Sequence, residues 1–234
     1  GLAYSRSRVI DRDGNPADLE YPQESFFQTQ PGDPVAAGEQ VMRCFIHPAP
    51  YFGVYRRSLL DRLQPLRHVF GSDKIFICEA ALYAPIGCVP ATLCTERKHQ
   101  RQASLRNIFS EEAVYGLPED SVFTRFEGST PFTDMIWGFV DMLALASLQE
   151  EARAGLCQRA LEIFGDHYAS RLAGERRYLL ALLQDNRPHF LEGKQHPVHR
   201  RNRLSLLERI MRMRLVFPDD DELAAAGAAL SAAV

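Results

Sequence analysis

The stretch from residue 51 to residue 104 carries the most informative pattern in the sequence. It reads YFGVYRRSLL at 51–60 and FGSDK at 70–74, and it continues through Glu79 to GCVP at 87–90 and RKH at 97–99. A glycine ahead of two arginines indicates close approach of the backbone to another group, with an ordinary turn as the alternative. The aspartate of FGSDK follows a Gly-Ser turn and heads a helical pattern, where backbone N–H groups and the helix dipole favour negative charge. Its simplest role is that of a helix cap.

Two extended segments are predicted, one ahead of this stretch and one within it. Residues 2–10 alternate in part and lead into Asp-Arg-Asp-Gly-Asn-Pro at 11–16, which predicts a strand followed by a tight turn. Residues 88–95 predict a second short strand. The acidic pair Asp11 and Asp13 is explained by the turn, so we expect no metal site there.

Two helices are predicted ahead of the second strand. Helical spacing of apolar residues predicts helices over 57–66 and 74–83. Residues 21–40 hold three prolines and two glycines, which predicts a mobile surface loop.

The carboxyl-terminal half of the chain has a helical composition. Thr130-Pro131 offers a cap and a first helical position, and apolar residues recur from there to about residue 183. We expect three helices in this run, separated at its glycines: Gly155, Gly165 and Gly174. A further helix is predicted over 204–215, and one aspartate of the triplet 219–221 is expected to cap a last helix.

Composition bounds the class of protein. At 234 residues with 46% apolar residues, the chain is long enough to bury a globular core, and its formal charge of -3 gives no basic field that would favour nucleic acid. It contains no apolar run of about 18 residues and no signal-peptide pattern, so we expect a cytoplasmic protein. The five cysteines form no C-x-x-C pair and are expected to be reduced.

The order and spacing of these residues resemble the second half of the catalytic domain of inverting family 2 glycosyltransferases of the GT-A fold. The matching positions follow one another as in that family: Gly53, Arg56 or Arg57, Leu59 and Leu60, Asp73, Glu79, Gly87, Val89-Pro90, Arg97 and His99. The strand and Asp-Gly turn over residues 4–14 also resemble the segment after the metal-binding acidic motif of the family. One departure is Ser72-Asp73, where many relatives have Glu-Asp.

The resemblance implies an α/β fold. Residues 1–105 would form a partial GT-A (Rossmann-like) glycosyltransferase domain, and residues 106–234 a mainly helical extension. The nucleotide-binding strands and the Asp-x-Asp metal motif of the family should precede Gly1. We therefore expect the natural protein to extend upstream, and the chain by itself to be inactive.

The resemblance also implies a reaction, in which a sugar passes from a nucleotide-sugar donor to the hydroxyl of a glycan, lipid-linked or other acceptor, with inversion. Asp73 is implied as the general base, because a carboxylate within hydrogen-bond reach can remove the acceptor's proton. His99 is implied as a ligand of a divalent cation, manganese or magnesium, on the diphosphate. Gly53, Arg56 and Arg97 are implied as the groups that bind the donor pyrophosphate.

Residues 187–214 form a basic segment with eight Lys or Arg residues against two Glu residues. Together with the apolar residues of the same segment, this charge predicts one of three roles. The segment makes a peripheral contact with anionic lipid, binds acidic glycan, or is the solvated face of a helix that packs on the core.

Two other hypotheses compete with a glycosyltransferase. In the first, the chain is a non-catalytic helical interaction module that carries a degenerate glycosyltransferase remnant. In the second, it is a small hydrolase that uses Asp73 with His99 or His68, although no Ser or Cys nucleophile lies in a recognisable elbow. The coding sequence upstream of Gly1 would separate the first of these from the enzyme hypothesis.

Overall fold

A computed structural model of the chain describes residues 1–16, 26–44, 49–67, 69–97, 130–185, 191 and 197–233. Its strands are β1 (Leu2–Ile10), β2 (Val54–Tyr55) and β3 (Ile86–Arg97), and a 3-10 turn at Ala49–Phe52 precedes β2. Its helices are α1 (Pro34–Cys44), α2 (Arg57–Leu60), α3 (Ser72–Tyr83), α4 (Pro131–Leu145), α5 (Glu150–His167), α6 (Ala169–Asp185), α7 (Pro197–Val216) and α8 (Asp221–Ala233). A small mixed sheet surrounded by helices confirms the α/β class. Within these residues, no helix is both long enough and apolar enough to cross a membrane.

β1 is the central strand of the sheet, whose order is β2-β1-β3. It pairs antiparallel with β2 through its first two residues, and parallel with β3 from Leu2 opposite Ile86 to Ile10 opposite Arg97. The register with β3 shifts twice between residues 5 and 7. The sheet is therefore anchored at one end, where three strands meet, and continues as a two-stranded ribbon.

Both predicted strands are confirmed, and β3 is two residues longer at each end than its prediction. The tight turn after β1 is confirmed as well. The Oδ1 atom of Asp11 accepts the N–H groups of Asp13 and Asn15, each at 2.9 Å. Although desolvation acts to raise it, hydrogen bonds from Asn15 and its neighbours hold the pKa of Asp11 below its ordinary value. The Asp11 carboxylate therefore stabilises the turn, as expected for this acidic pair.

α1 overturns part of the predicted loop. It begins at Pro34, so the prediction of a mobile loop over 21–40 is wrong for its last seven residues, whereas its first five lie outside the described residues. The Asp33 carboxylate accepts the N–H of Ala36 at 2.9 Å and so caps the helix, with proline in the first helical position. Phe27, ahead of the helix, is buried in the core. A capped helix start and local burial outweigh the proline content of this segment.

α2 ends at Leu60, six residues before the end of the helix predicted over 57–66. The helix does not continue because Gln64 donates its N–H to the Glu79 carboxylate, at 3.1 Å, and because Pro65 has no N–H to donate. α3 confirms the second predicted helix and begins two residues earlier.

α4, α5 and α6 confirm the three helices predicted before residue 183, but not their breaks. The helices are interrupted at 146–149 and at Tyr168, whereas the three glycines expected to end them lie inside α5 and α6: Gly155, Gly165 and Gly174. A Cβ atom at these glycines would meet no atom within 4 Å, so they lie on the open sides of their helices. Glycine there costs about 1 kcal/mol relative to alanine, which is too little to end a helix with a buried opposite face.

The start of α4 is capped by a carboxylate from α6. Thr130 occupies the cap position and Pro131 the first helical position, as predicted, but among the described residues the Thr130 side chain makes no cap hydrogen bond. Instead, Glu175 accepts the N–H of Phe132 at 2.7 Å, together with the N–H and the hydroxyl of Thr133 at 3.0 and 2.7 Å. The backbone N–H groups at the start of α4, which the helix itself would leave unpaired, therefore bond to a carboxylate from a distant part of the chain.

The last two helices extend the predictions at the carboxyl terminus. α7 contains the helix predicted over 204–215 and begins seven residues earlier. Of the three candidate caps for α8, Asp220 is the one used, because its Oδ1 atom accepts the N–H of Leu223 at 3.0 Å.

The helices and the sheet share two hydrophobic cores. The first joins the inner face of the sheet to α1 and α3–α6, and the second lies among α6, α7 and α8. Ile75 of α3 and Phe139 of α4 are fully buried in the first core. The predicted domain boundary between residues 105 and 106 lies outside the described residues, and the first core contains side chains from both sides of it.

Candidate active site

Asp73 lies at the start of α3, as the sequence predicted, but it lies inside the first helical turn and is not the cap. The cap position belongs to Gly71, which has a φ of 69° in the left-handed region that favours glycine. Asp73 is partly buried, and its Oδ1 atom accepts the N–H of Lys74 at 2.9 Å. Within the described ranges this is the only hydrogen bond of the carboxylate. Its charge lies at the helix end where the macrodipole stabilises negative charge. Among the residues that the structure describes, its second oxygen makes no hydrogen bond.

Lys74, the residue after Asp73, contacts a tyrosine that the sequence analysis did not single out. Lys74 donates from Nζ to the hydroxyl of Tyr168 at 2.8 Å and lies 5.6 Å from the centre of its ring. Tyr168 joins α5 to α6 and packs on Phe132 at the start of α4, with ring centres 4.8 Å apart. Lys74 and Tyr168 are 94 residues apart in sequence, so no local pattern could have revealed the contact.

Three aromatic side chains pack together beside α3, at the position one helical turn after Asp73. Phe76 lies one helical turn after Asp73, on the same side of α3. The rings of Tyr51 and Tyr55 pack against Phe76 at centre distances of 5.9 and 5.7 Å. The segment that contains Gly53 and Arg56 is therefore a neighbour of α3 at Phe76.

Gly53 makes the close backbone approach that the sequence predicted, and the group it approaches is β1. A Cβ atom at Gly53 would lie 2.6 Å from the carbonyl oxygen of Ala3 and 2.7 Å from a methyl carbon of Leu2. No other side chain fits without moving the strand. Packing against β1 thus explains the glycine, and its contact with a donor remains a proposal.

Arg56 and Arg97 lie at opposite ends of β1. The backbone N–H of Arg56 donates to the carbonyl of Gly1 at 3.0 Å, and its side chain is exposed. Arg97 donates from Nη1 to the carbonyl of Arg12 in the turn after β1, at 2.5 Å. The eight residue steps of β1 separate the two sites by roughly 26 Å. The two arginines do not share one pyrophosphate site, and Arg97 holds the turn.

The implied metal site falls largely on residues that the structure does not describe. His99 and His68 lie outside the described residues. In the ranges that are described, no group of three or more His, Cys, Asp or Glu side chains could hold a metal ion. The five cysteines are free thiols, as predicted, although Cys94 is exposed.

Glu79 is the other acidic residue of the predicted pattern, and it is buried in α3. Burial raises the pKa of Glu79, whereas the hydrogen bond from Gln64 and the charge of Arg67 act to lower it. Its hydrogen bond to Gln64 attaches the chain after α2 to α3. Glu79 therefore supports the position of α3.

The basic segment over 187–214 is described only in part. Arg203 is buried and donates to the carbonyl of Ala233 at 2.7 Å, and Arg212 donates to Asp134 at 2.8 Å and to Glu208. These two arginines bind other parts of the protein. The predicted contact with anionic lipid stays a proposal that must rest on other residues of the segment.

Comparison of the chain with models of protein families, with curated proteins and with solved structures gave no match in any of the three. The family resemblance therefore rests on the residues of the sequence alone.

Proposed function

We propose that the chain is the acceptor-side part of an inverting glycosyltransferase that uses a nucleotide-sugar donor and Asp73 as its general base. The observation that carries this proposal is the state of the Asp73 carboxylate. It is partly buried at the start of α3, one oxygen accepts a backbone N–H, and within the described residues the other oxygen has no hydrogen bond. A general base needs a fixed position together with an oxygen open to the proton it removes.

In the proposed reaction, the acceptor hydroxyl gives its proton to the open oxygen of Asp73 while the hydroxyl oxygen attacks the anomeric carbon of the donor sugar in line. The new bond joins these two atoms, the bond from the anomeric carbon to the diphosphate breaks, and the configuration inverts. The bonding pair leaves with the diphosphate, whose added negative charge a guanidinium can offset. Arg56 is the better candidate for this role, because its side chain is exposed whereas Arg97 is bonded to the turn.

The proposal includes a partial GT-A architecture and a divalent cation. The parallel pair of β1 and β3, with α3 directly before β3, is compatible with that architecture. Manganese or magnesium, with His99 as a ligand, would supply further charge neutralisation at the diphosphate. No step of the proposal depends on the ion, because its ligands lie outside the described residues.

The test is turnover by the full-length gene product that contains this sequence. We expect release of nucleoside diphosphate from at least one donor in a panel of uridine, guanosine and thymidine diphosphate sugars offered with hydroxyl acceptors. Asp73→Asn should lower kcat about a hundredfold or more, the size expected when a general base is lost, and leave donor affinity unchanged. Asp61→Asn, at an exposed aspartate that ends α2, is the matched control and should keep full activity.

Two results would overturn the proposal. One is a folded Asp73→Asn variant with nearly full activity, and the other is a folded full-length protein without turnover of any donor in the panel. The 234-residue chain alone should not bind nucleotide sugar tightly, since the proposed nucleotide pocket is incomplete. Calorimetry with the same panel checks this, and micromolar binding would show that the nucleotide site is misplaced.

A non-catalytic interaction module is the second candidate. It is favoured by exposed apolar side chains on one side of α7, at Leu204, Met211 and Leu215. These positions follow one another at intervals of seven and four residues, so they form a stripe along the helix. A full-length protein that is inactive with every donor, and that loses a partner on Met211→Glu, would favour this candidate.

A further inference from the structure

Two apolar side chains and two arginines project from the short segment that leads from the 3-10 turn through β2 into α2. Phe52 and Val54 are 72% and 78% exposed, the largest fractions among the exposed large apolar residues that the structure describes. Arg56 and Arg57 follow them and are exposed as well. A fraction above 70% is close to that of a side chain without neighbours, so Phe52 and Val54 project from the surface and do not line a groove.

Inward-facing residues of the same segment hold this orientation. Tyr51 and Tyr55 pack on Phe76, with ring centres 5.9 and 5.7 Å away. The hydroxyl of Tyr55 donates to the carbonyl of Pro50 at 2.9 Å, and Gly53 lies so close to β1 that a Cβ atom would clash with it. Because alternate residues face inward, the two apolar residues between them face outward. A surface that is already ordered has little conformational entropy to lose on binding.

The surroundings of these side chains are positively charged. Residues 52–62 contain three arginines and one aspartate, Asp61, whereas the whole chain has a formal charge of -3. Leu60 lies one helical turn after Arg57 and adds a third exposed apolar side chain. Projecting apolar groups next to arginines match a partner that is anionic at its surface and apolar beneath it.

We propose that residues 52–57 dock on the surface of an anionic lipid membrane. Phe52 and Val54 enter the boundary between headgroups and acyl chains, where aromatic and apolar side chains of peripheral proteins are stabilised. The guanidinium groups of Arg56 and Arg57 bind the anionic groups of the lipids. A fluid interface accommodates projecting side chains of any shape, whereas a protein partner would need a matching pocket for each of them.

The exposed apolar stripe of α7 is the competing surface, and it lies in the basic segment for which the sequence predicted a lipid contact. The exposed Glu208 lies within this stripe, four residues after Leu204 and three before Met211. An anionic membrane repels a carboxylate at the centre of the contact. Residues 52–57 contain no acidic side chain, so their charge complements the membrane better.

The test is sedimentation of the 234-residue chain with vesicles of phosphatidylcholine alone or of equal parts of phosphatidylcholine and phosphatidylserine. We expect binding to the mixed vesicles that weakens as the salt concentration rises. Replacing both arginines, by Arg56→Ala and Arg57→Ala, should weaken this binding about thirtyfold, since each basic residue near an anionic surface contributes a factor of about five. Replacing both apolar residues, by Phe52→Ser and Val54→Ser, should weaken it about tenfold or more.

Two control variants match these changes at other places on the surface. Arg12→Ala with Arg177→Ala removes two exposed arginines, and Leu93→Ser removes an apolar side chain of β3 that is 71% exposed. Both controls should bind within about twofold of the parent, because distant charges are screened by salt. All four variants change exposed side chains, so their Tm should stay within about 2 °C of the parent.

The proposal is wrong if the chain binds neither kind of vesicle, or if both pairs of arginine substitutions weaken binding equally, because the attraction would then follow total charge. It is also wrong if Met211→Ser abolishes binding and the Phe52→Ser, Val54→Ser variant does not, since α7 would then be the lipid surface. A dimer, seen by light scattering, that the latter variant dissociates would show that the occupant is a second copy of the chain.

This experiment contains no donor and no acceptor, so its outcome does not depend on the proposed glycosyltransferase. If the chain binds vesicles through residues 52–57 but the full-length protein turns over no donor, the membrane contact stands and the glycosyltransferase proposal fails. If turnover depends on Asp73 but the vesicles do not bind, only the membrane contact is lost.

Discussion

Two carboxylates lie at the starts of two helices, Asp73 on α3 and Glu175 at α4, and they are used differently. Asp73 belongs to the helix whose end it occupies and accepts one N–H, from Lys74. Glu175 reaches α4 from α6 and accepts three hydrogen bonds, two from backbone N–H groups and one from a hydroxyl. The first carboxylate has an open oxygen within the described part of the chain, whereas both oxygens of the second are engaged.

The difference separates the chemical role proposed for Asp73 from the structural role of Glu175. A carboxylate whose acceptor positions are filled by buried donors holds a fold together, because its loss leaves those donors unpaired. A carboxylate with an open oxygen in a fixed position is available to a substrate. Burial, with a smaller contribution from the charge of Asp134, raises the pKa of Glu175 to about 7, although the hydrogen bonds from Phe132 and Thr133 act to lower it. A shifted pKa is therefore no sign of catalysis here, because the group is saturated by the fold.

The largest expected effect is on the structural side of this comparison. Glu175→Ala should lower the free energy of unfolding by about 3 kcal/mol, because two N–H groups and a hydroxyl at the start of α4 lose their acceptor. Urea denaturation at pH 6 measures the change. Glu162→Ala removes an exposed glutamate paired with Arg159 on α5 and should cost less than about 0.5 kcal/mol. Equal losses for the two variants would contradict the structural role of Glu175.

Glu175 should also shape the dependence of stability on pH. Its pKa is raised in the folded state, so its contribution to stability is fully present below its ordinary pKa of 4.5 and is lost as the pH rises through about 7. The amide of Glu175→Gln does not titrate. The free energy of unfolding of the parent minus that of this variant should therefore fall by roughly 3 kcal/mol between pH 4.5 and pH 8. Urea titrations at half-unit pH intervals check the slope, and a constant difference would show that burial does not penalise the charge.

A smaller effect is expected at the contact between α3 and the helical part of the chain. Tyr168→Phe removes the hydroxyl that accepts from Lys74 and keeps the aromatic packing, so it should cost about 1 kcal/mol. Tyr83→Phe is a suitable control, because Arg62 lies over the Tyr83 ring and this contact does not need the hydroxyl. Thermal melts of both variants give the comparison. A Tyr168→Phe variant as stable as the Tyr83→Phe variant would mean that Lys74 gains nothing from this hydroxyl.

The smallest expected change in stability is at Asp73. In Asp73→Asn the amide oxygen can still accept the N–H of Lys74, so the free energy of unfolding should change by no more than about 0.5 kcal/mol. A large loss of turnover in the same variant would complete the contrast with Glu175. If Asp73→Asn instead unfolds the protein as Glu175→Ala is expected to do, the two carboxylates have the same structural role and the comparison fails.

Sequence analysis was most accurate where one segment decides its own structure. The strand and turn over residues 2–16 follow from alternation and from an Asp-Gly turn, and α3 follows from apolar residues at helical spacing. Asp220, one of three adjacent candidates, caps α8. This cap was predictable because a capping side chain bonds to an N–H group only three residues away. The place of Asp73 at the start of a helix was also correctly predicted, although not as its cap, and this place carries the functional proposal.

Tertiary structure decided the features that depend on residues far apart in the chain. α2 stops early because Glu79 takes the N–H of Gln64, and α4 is capped by Glu175 from more than 40 residues away. Glycines inside α5 and α6 do not end these helices, since burial of the opposite faces outweighs a local cost of about 1 kcal/mol. By itself the sequence determined the local elements and the carboxylate at the start of α3, because a few neighbouring residues set the energies of turns, caps and helical faces. Only the tertiary structure decided that Glu79 receives the N–H of Gln64 and that Glu175 receives the donors at the start of α4, because these partners meet only when distant segments pack.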